Sequence, residues 1–556
     1  MRNFALLLLT GIIFTQTLSA QKKKKIEYNS DVLYTTELLG PKIKILTGHV
    51  VFYHENSTMS CDSALFNISK NLFDAFGNIK VIKPTEEDTV FLYGDTLHYN
   101  GNLKIAKVRN RVSLLQDSLR LYTDSIDYDL NKDLGYYSNG GTTINGQDTL
   151  SSIFGYYYAN RKELFFKEDV IINNPRFEMF SDTLRHNTEK RISYFLGPTE
   201  IYSEENYIYC ENGWYDHNKH QSEFSKNALL QNEEQSIKGQ LISYDRNKGI
   251  GIAHQDVEIN DSTQNIILQG NYGYYNEKTE FSLLTDSAVF IQITSTDSLF
   301  LHADTIKSSQ ITEKTENNDS IESKYRLIQA YNKVKIYKSD FQAKCDSLVY
   351  SFRDSIMEMH NNPVIWSDEN QLTADFIKVL TVNREVDQVN METNSFIISE
   401  SDSLRYNQIK GNRMIGFVRE RELKRVDVFE NGESLYFLKD DADLLIGSNH
   451  IRCKNMKIYL EDQEIDKIWF FENPEAVMKP PNSLSASEKN LIGFRREGKQ
   501  RPKSKEDIFN WIEPPVKEEA VDDNSDKEKS IDIFGEEDKS PKNSIDTSES
   551  IDDIRK

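Results

Sequence analysis

Along most of this chain apolar and polar residues alternate with a period of two, in short runs that open on a turn residue. Gly77-Asn78-Ile79-Lys80-Val81 shows the pattern plainly, as do Asp256-Val257-Glu258-Ile259 and Asn332-Lys333-Val334-Lys335-Ile336. Asn362-Pro363-Val364-Ile365 and Asn473-Pro474-Glu475-Ala476-Val477 carry a proline after the turn residue. Such alternation turns one face of a strand to a core and the other to water. Turn chemistry recurs between the runs, at Asn131-Lys132, Gly140-Gly141, Asn218-Lys219 and Asn247-Lys248. No stretch carries a helical stripe, so the expected fold is all-β.

A second element reads Asp, small, apolar, any, aromatic. It stands at Asp62 to Phe66, Asp95 to Tyr99, Asp124 to Tyr128 and Asp346 to Tyr350. Weaker copies begin at Phe154, Asp182, Glu211, Gln240, Asn271, Asp304 and Asp375. From Asp62 to Asp304 the steps are 33, 29, 30, 28, 29, 29, 31 and 33 residues. A step of 42 then crosses a polar insert at 308–324, and looser copies follow at Asn412 and Asn455. A unit of two short strands cannot bury its own apolar face, so neighbours must stack and share an interior. The expectation is an elongated β-solenoid or jellyroll of about a dozen two-strand rungs, each adding ~4.8 Å.

The ends read differently. Arg2, the apolar run Phe4 to Phe14 and Leu18-Ser19-Ala20 form a secretory signal peptide over 1–20, with cleavage expected after Ala20. The repeats fill 26–307 and 325–480, an irregular segment follows at 481–516, and residues 517–556 form an acidic tail expected to be disordered. A net charge of -21 argues against a phosphate-backbone partner, which needs a basic face, so nucleic acid is set aside.

With the repeats laid out, the chain resembles the OstA-like family, known also from the lipopolysaccharide carrier LptA and the periplasmic part of LptD. The likeness rests on the Asp-small-apolar-x-aromatic strand followed by a Gly-Asn-Val type strand. It implies a jellyroll open along one side, acyl chains lying inside and the sugar-phosphate head outside. It also implies a periplasmic location, lipopolysaccharide or lipo-oligosaccharide as ligand, and head-to-tail pairing with other proteins of this kind. LptA-like carriers are much shorter, and LptD continues into a membrane barrel, so the chain reads as a long soluble member similar to those of the Bacteroidota. The free edge is placed at Ile43 to Phe52, because Pro480-Pro481 would block pairing at the other end.

Positions two and four residues after the repeated Asp share a strand face. They give a ligand-facing set of Phe66, Leu97, Tyr99, Ile126, Tyr128, Tyr158, Tyr215, Ile242, Tyr244, Tyr275, Leu348 and Tyr350. A phenol suits the boundary between an oily trough and a wet head group. A passive structural or adhesive solenoid of the envelope is the competing reading. Catalysis is not expected, because an acid repeated once per rung cannot be the unique acid of one active site. His217 and His220 have H-x-x-H spacing but lie in a turn without a third ligand, so neither metal nor cofactor is expected.

Cys61, Cys210 and Cys345 each precede a copy of the repeat and therefore belong to different rungs. Five rung intervals part Cys61 from Cys210, ~24 Å at ~4.8 Å each, whereas a disulfide needs Cα atoms within about 7 Å. Peptide maps with and without reductant should be identical; a linked Cys61–Cys210 peptide would refute the stack.

Overall fold

Consecutive strands of this chain pair antiparallel in chain order. The computed structural model describes residues 25–513, apart from 86–87, 205, 295–296, 315–321, 403, 441, 443, 462–463 and 481–482; the expected leader and acidic tail lie outside the described residues. The order opens with β1 (Glu27–Asn29), β2 (Val32–Tyr34), β3 (Ile43–His54), β4 (Ser57–Asn67), β5 (Leu72–Pro84), β6 (Thr89–Asn100), β7 (Ile105–Gln116) and β8 (Leu119–Asp129). Two split strands follow, β9 (Leu134–Tyr137) with β10 (Gly141–Asn145), and β11 (Asp148–Ser152) with β12 (Phe154–Tyr158). Then come β13 (Glu163–Asn174), β14 (Phe177–Asn187), β15 (Ile192–Ser203), β16 (Tyr207–Asp216), β17 (Gln221–Gln231), β18 (Gln235–Asp245), β19 (Ile250–Asp261) and β20 (Ile266–Asn276). The ladder continues to Glu464–Phe471 and Glu475–Lys479, and all of it is one sheet.

Each strand is longer than the sequence pattern implies because it bends instead of ending. In β4 the buried positions pass from Met59 and Cys61 to Ala64 and Phe66, a slip of one in the period-two phase at Asp62. The β4–β5 register shifts at the same place, between Ser60 and Ser63. The bend folds every strand over, so its two halves form facing walls with apolar side chains between them. Each repeat thus adds two hydrogen-bonded strands, and advances the stack by ~9.6 Å rather than ~4.8 Å. Cys61 and Cys210 are correspondingly farther apart, and all four cysteines are free.

The corner joins the two sequence elements. On every second strand it holds consecutive left-handed residues, such as Gly77 and Asn78, Asn110 and Arg111, and Lys226 and Asn227. The repeated acid of the preceding strand lies beside them. Asp62 accepts from Asn78 Nδ2 at 2.9 Å, Asp95 accepts two bonds from Arg111 at 2.9 and 2.7 Å, and Glu211 accepts from Asn227 at 2.9 Å. A left-handed non-glycine residue costs roughly 1–2 kcal/mol, and a bond to the corner offsets about 1 kcal/mol. The acid therefore sits mid-strand as a corner brace, not at a strand start.

A second staple lies at the strand ends. Asp129 Oδ1 accepts from the backbone N–H groups of Asn131 and Lys132, while Asn131 Nδ2 donates to the Leu103 carbonyl of the preceding repeat at 3.0 Å. Asn102, Asn218 and Asn247 repeat that donation to Lys70, Lys190 and Lys219.

Two expectations change at the ends. β3 is not a free edge, because β1 and β2 pair with its two halves. Among the described residues the strands paired on one side only include Glu464–Phe471 and Glu475–Lys479, where Trp469 is 52% and Val477 53% exposed. The chain after them turns back instead of covering them: Glu497 pairs with Lys344, and Gln371 and Gln408 bond to the backbone of Arg495 and Leu491. The arms of the polar insert are strand, since Ser309 pairs with Leu327 and Glu313 with Ser323.

Gly77 tests the corner. Its φ is +76°, and a Cβ there would stand 2.3 Å from Asp62 Oδ2. Gly77→Ala should lower unfolding stability by roughly 1–2 kcal/mol in urea titrations; an unchanged midpoint would show that the corner carries no such constraint.

Candidate functional site

The interior between the two walls is not uniform. In β3–β7 it is filled by rings: Phe52 stacks on Phe73 with centroids 3.8 Å apart, and Tyr99 follows at 5.2 Å from Phe73. Beyond β20 the inward positions Ile306, Ile328, Met359, Met391 and Met414 are 0% exposed. Between these blocks, at Ile201, Ile208, Tyr215, Leu230, Ile237, Tyr244 and Tyr275, the inward side chains are only partly buried.

There the walls enclose a groove of ≈ 1480 Å³, larger than the ~300–1,000 Å³ of a small-molecule pocket. One wall supplies Leu164, Leu184, Tyr215, Ile242, Tyr244 and Tyr275, and the other Ile172, Met179, Ile201, Ile208, Leu230, Ile237 and Ile259. Phe166, Phe224 and Ala253 lie toward the corner line. The rim is polar, with Asn174, Asn206 and Asn232 along one lip and Thr188, Glu189 and His217 along the other. Arg176, Arg191 and Arg246 also line it, exposed and, among the described residues, without ion-pair partners.

What separates groove from core is whether anything crosses the mouth. In the early strands His54 Nδ1 meets Tyr99 Oη at 2.6 Å, Lys104 meets Glu55 at 2.7 Å, Lys83 meets Asp133 at 3.7 Å, and Tyr157 donates to Gln116. At the far end Arg326 bonds Ser308 on its own wall at 2.9 Å and reaches across to Asp261 at 3.1 Å and Gln264 at 3.0 Å. Arg326 and Asp261 have side chains only 10% and 7% exposed, so this ion pair works in a partly dry setting.

Of the residues singled out from sequence, Tyr215, Ile242, Tyr244 and Tyr275 line the groove. Phe66, Leu97, Tyr99, Ile126, Tyr128, Leu348 and Tyr350 face the same interior but are at most 4% exposed and form packed core. Tyr158 points outward beneath the Arg161 guanidinium, and its neighbour Tyr157 faces in. That copy of the repeat starts at Ile153, not Phe154, which turns the steps of 30 and 28 into 29 and 29. The whole second wall was missed, although Ile259 stands in one of the alternating runs that carried its signal.

Tyrosine and histidine hydrogen bonds line one wall. Ser193 Oγ lies 3.0 Å from both His186 Nδ1 and His217 Nε2, Tyr215 Oη lies 3.3 Å from His220 Nδ1, and Tyr244 donates to Glu277 at 2.6 Å. Burial and the carboxylate of Glu277 hold the Tyr244 phenol protonated. His217 and His220 turn to different partners, and among the described residues no group of three His, Cys, Asp or Glu is placed to hold a metal.

Burial, followed by the neighbouring His217, depresses His186 from 6.5 to about 4. The unfolded chain therefore takes up a proton between those pH values that the folded chain refuses, so this residue lowers stability as pH falls from 6.5 toward 4. Unfolding midpoints measured across that window should drop less in His186→Gln than in the parent; parallel curves would contradict the buried, neutral imidazole.

Residues 22–182 and 203–298 match the family described as OstA-like protein. No curated protein matches the chain. Among solved structures, the chain is similar to LptH from Pseudomonas aeruginosa, described as the LptA-homologous periplasmic component of the conserved lipopolysaccharide transport device. The identity is 16%, over 20% of this chain and 80% of that one, with a TM-score of 0.19.

Proposed function

Because residues 22–182 and 203–298 belong to the OstA-like family, we propose that this chain is a periplasmic carrier of lipopolysaccharide that takes acyl chains between its walls. The observation that supports this most is the groove itself: apolar on both sides, polar along its rim, and only partly buried where the flanking interior, at Phe52, Phe73 and Tyr99 on one side and Ile306 and Ile328 on the other, is sealed. Each methylene moved from water into such a groove contributes about 0.8 kcal/mol, so a few acyl chains supply ample affinity. Arg176, Arg191 and Arg246, exposed at the rim, stand where an anionic head would meet water, in a chain whose net charge is -21. The site binds and releases; it does no chemistry. A passive solenoid has no use for a half-exposed apolar interior, which leaves the groove without a role in that reading. What supports docking to another stack of this kind at Glu464–Phe471 and Glu475–Lys479 is that, among the described residues, each pairs with a neighbour on one side only.

Purified protein should bind a fluorescent lipopolysaccharide probe. Ile237→Asp with Tyr244→Asp puts one carboxylate on each wall and should weaken binding roughly tenfold or more, with circular dichroism unchanged. Equal affinity in a folded double variant would remove the groove from the function.

A further inference from the structure

We infer that the groove is a bounded chamber for a single amphiphile, entered sideways through its mouth, and not a stretch of a conduit running along the stack. The inference rests on the carrier reading above and adds the site's extent and route of entry. Both ends are blocked twice. Toward the N-terminus the interior is occupied by Phe52, Phe73 and Tyr99, and the mouth is crossed by the His54–Tyr99 and Lys104–Glu55 contacts. Toward the C-terminus Ile306 and Ile328 are wholly buried, and Arg326 ties one wall to Asp261 and Gln264 of the other.

An acyl chain sliding along the axis would have to break these cross-wall contacts and displace packed side chains. Displacing a large core side chain forfeits its burial and the close packing around it. Entry across the rim meets no such block: Arg176, Arg191 and Arg246 are exposed and have no ion pair to break among the described residues. Arg326 is in this reading a positioning residue, since it holds the walls together at the point where the groove stops.

Site-specific photo-crosslinking on the full chain tests this. A benzophenone amino acid is placed at Tyr215 or Tyr244, inside the chamber, and at Tyr99 or Tyr350, beyond its ends; each replaces one aromatic ring with another. After loading with purified lipopolysaccharide and irradiation, adducts should form at Tyr215 and Tyr244 and stay at background at Tyr99 and Tyr350. Native mass spectrometry of the parent should show one bound lipid at saturation. Adducts of equal strength at all four positions, or several lipids bound in series, would overturn the chamber and leave the carrier standing. Adducts nowhere would overturn both. Because variants at Tyr99 and Tyr350 alter packed positions, their urea midpoints are compared with the parent, and the count of bound lipids decides the question without them.

Discussion

The corner in each strand is the constraint from which the rest follows. A flat antiparallel sheet of this length would leave one apolar face in water. Folding every strand at its middle buries that face against itself, and the fold requires left-handed backbone on alternate strands. Those residues are strained unless something holds them, and the repeated carboxylate does so from the neighbouring strand, as Asp62 does for Gly77-Asn78 and Asp95 for Arg111. The Arg111 guanidinium beside Asp95 also holds that carboxyl below its ordinary range, which shows the brace acting as a charged pair.

The sequence carried the local half of this account. Period-two alternation marked the strands, the spacing of the acid marked the repeats, and positions two and four beyond it do point inward at Leu97, Tyr99, Ile126, Tyr128, Leu348 and Tyr350. The bend was not legible, because a one-residue slip in phase looks like the end of one short strand and the start of another. The distinction between core and groove was also hidden. Tyr128 and Tyr244 occupy the same place in the repeat, yet one is sealed and the other half open. What separates them are contacts across the mouth such as Lys83 to Asp133 over the early strands, between residues far apart in the chain, which no local pattern announces.

The segment 483–511 illustrates the other limit. It has no periodicity and forms only three-residue helical turns, yet Leu491 and Ile508 are buried and Lys335 is enclosed beneath Asn510 and Trp511. Burial pushes the Lys335 ammonium down to about 8. Beyond its own short turns, the segment is held by the strands it lies on, whose amides Gln371 and Gln408 bond its backbone.

The asparagine staples, in which Asn131, Asn218 and Asn247 each reach back to the carbonyl of the turn before, tie their units to the immediate predecessor and to nothing farther away. Capacity in such an architecture comes in whole units. Duplicating or losing one repeat within β13–β18 would lengthen or shorten the trough by a pair of strands while leaving Asp261 and Gln264, and with them the Arg326 plug, in place. The length of the trough thus changes by copying modules instead of reshaping a pocket residue by residue.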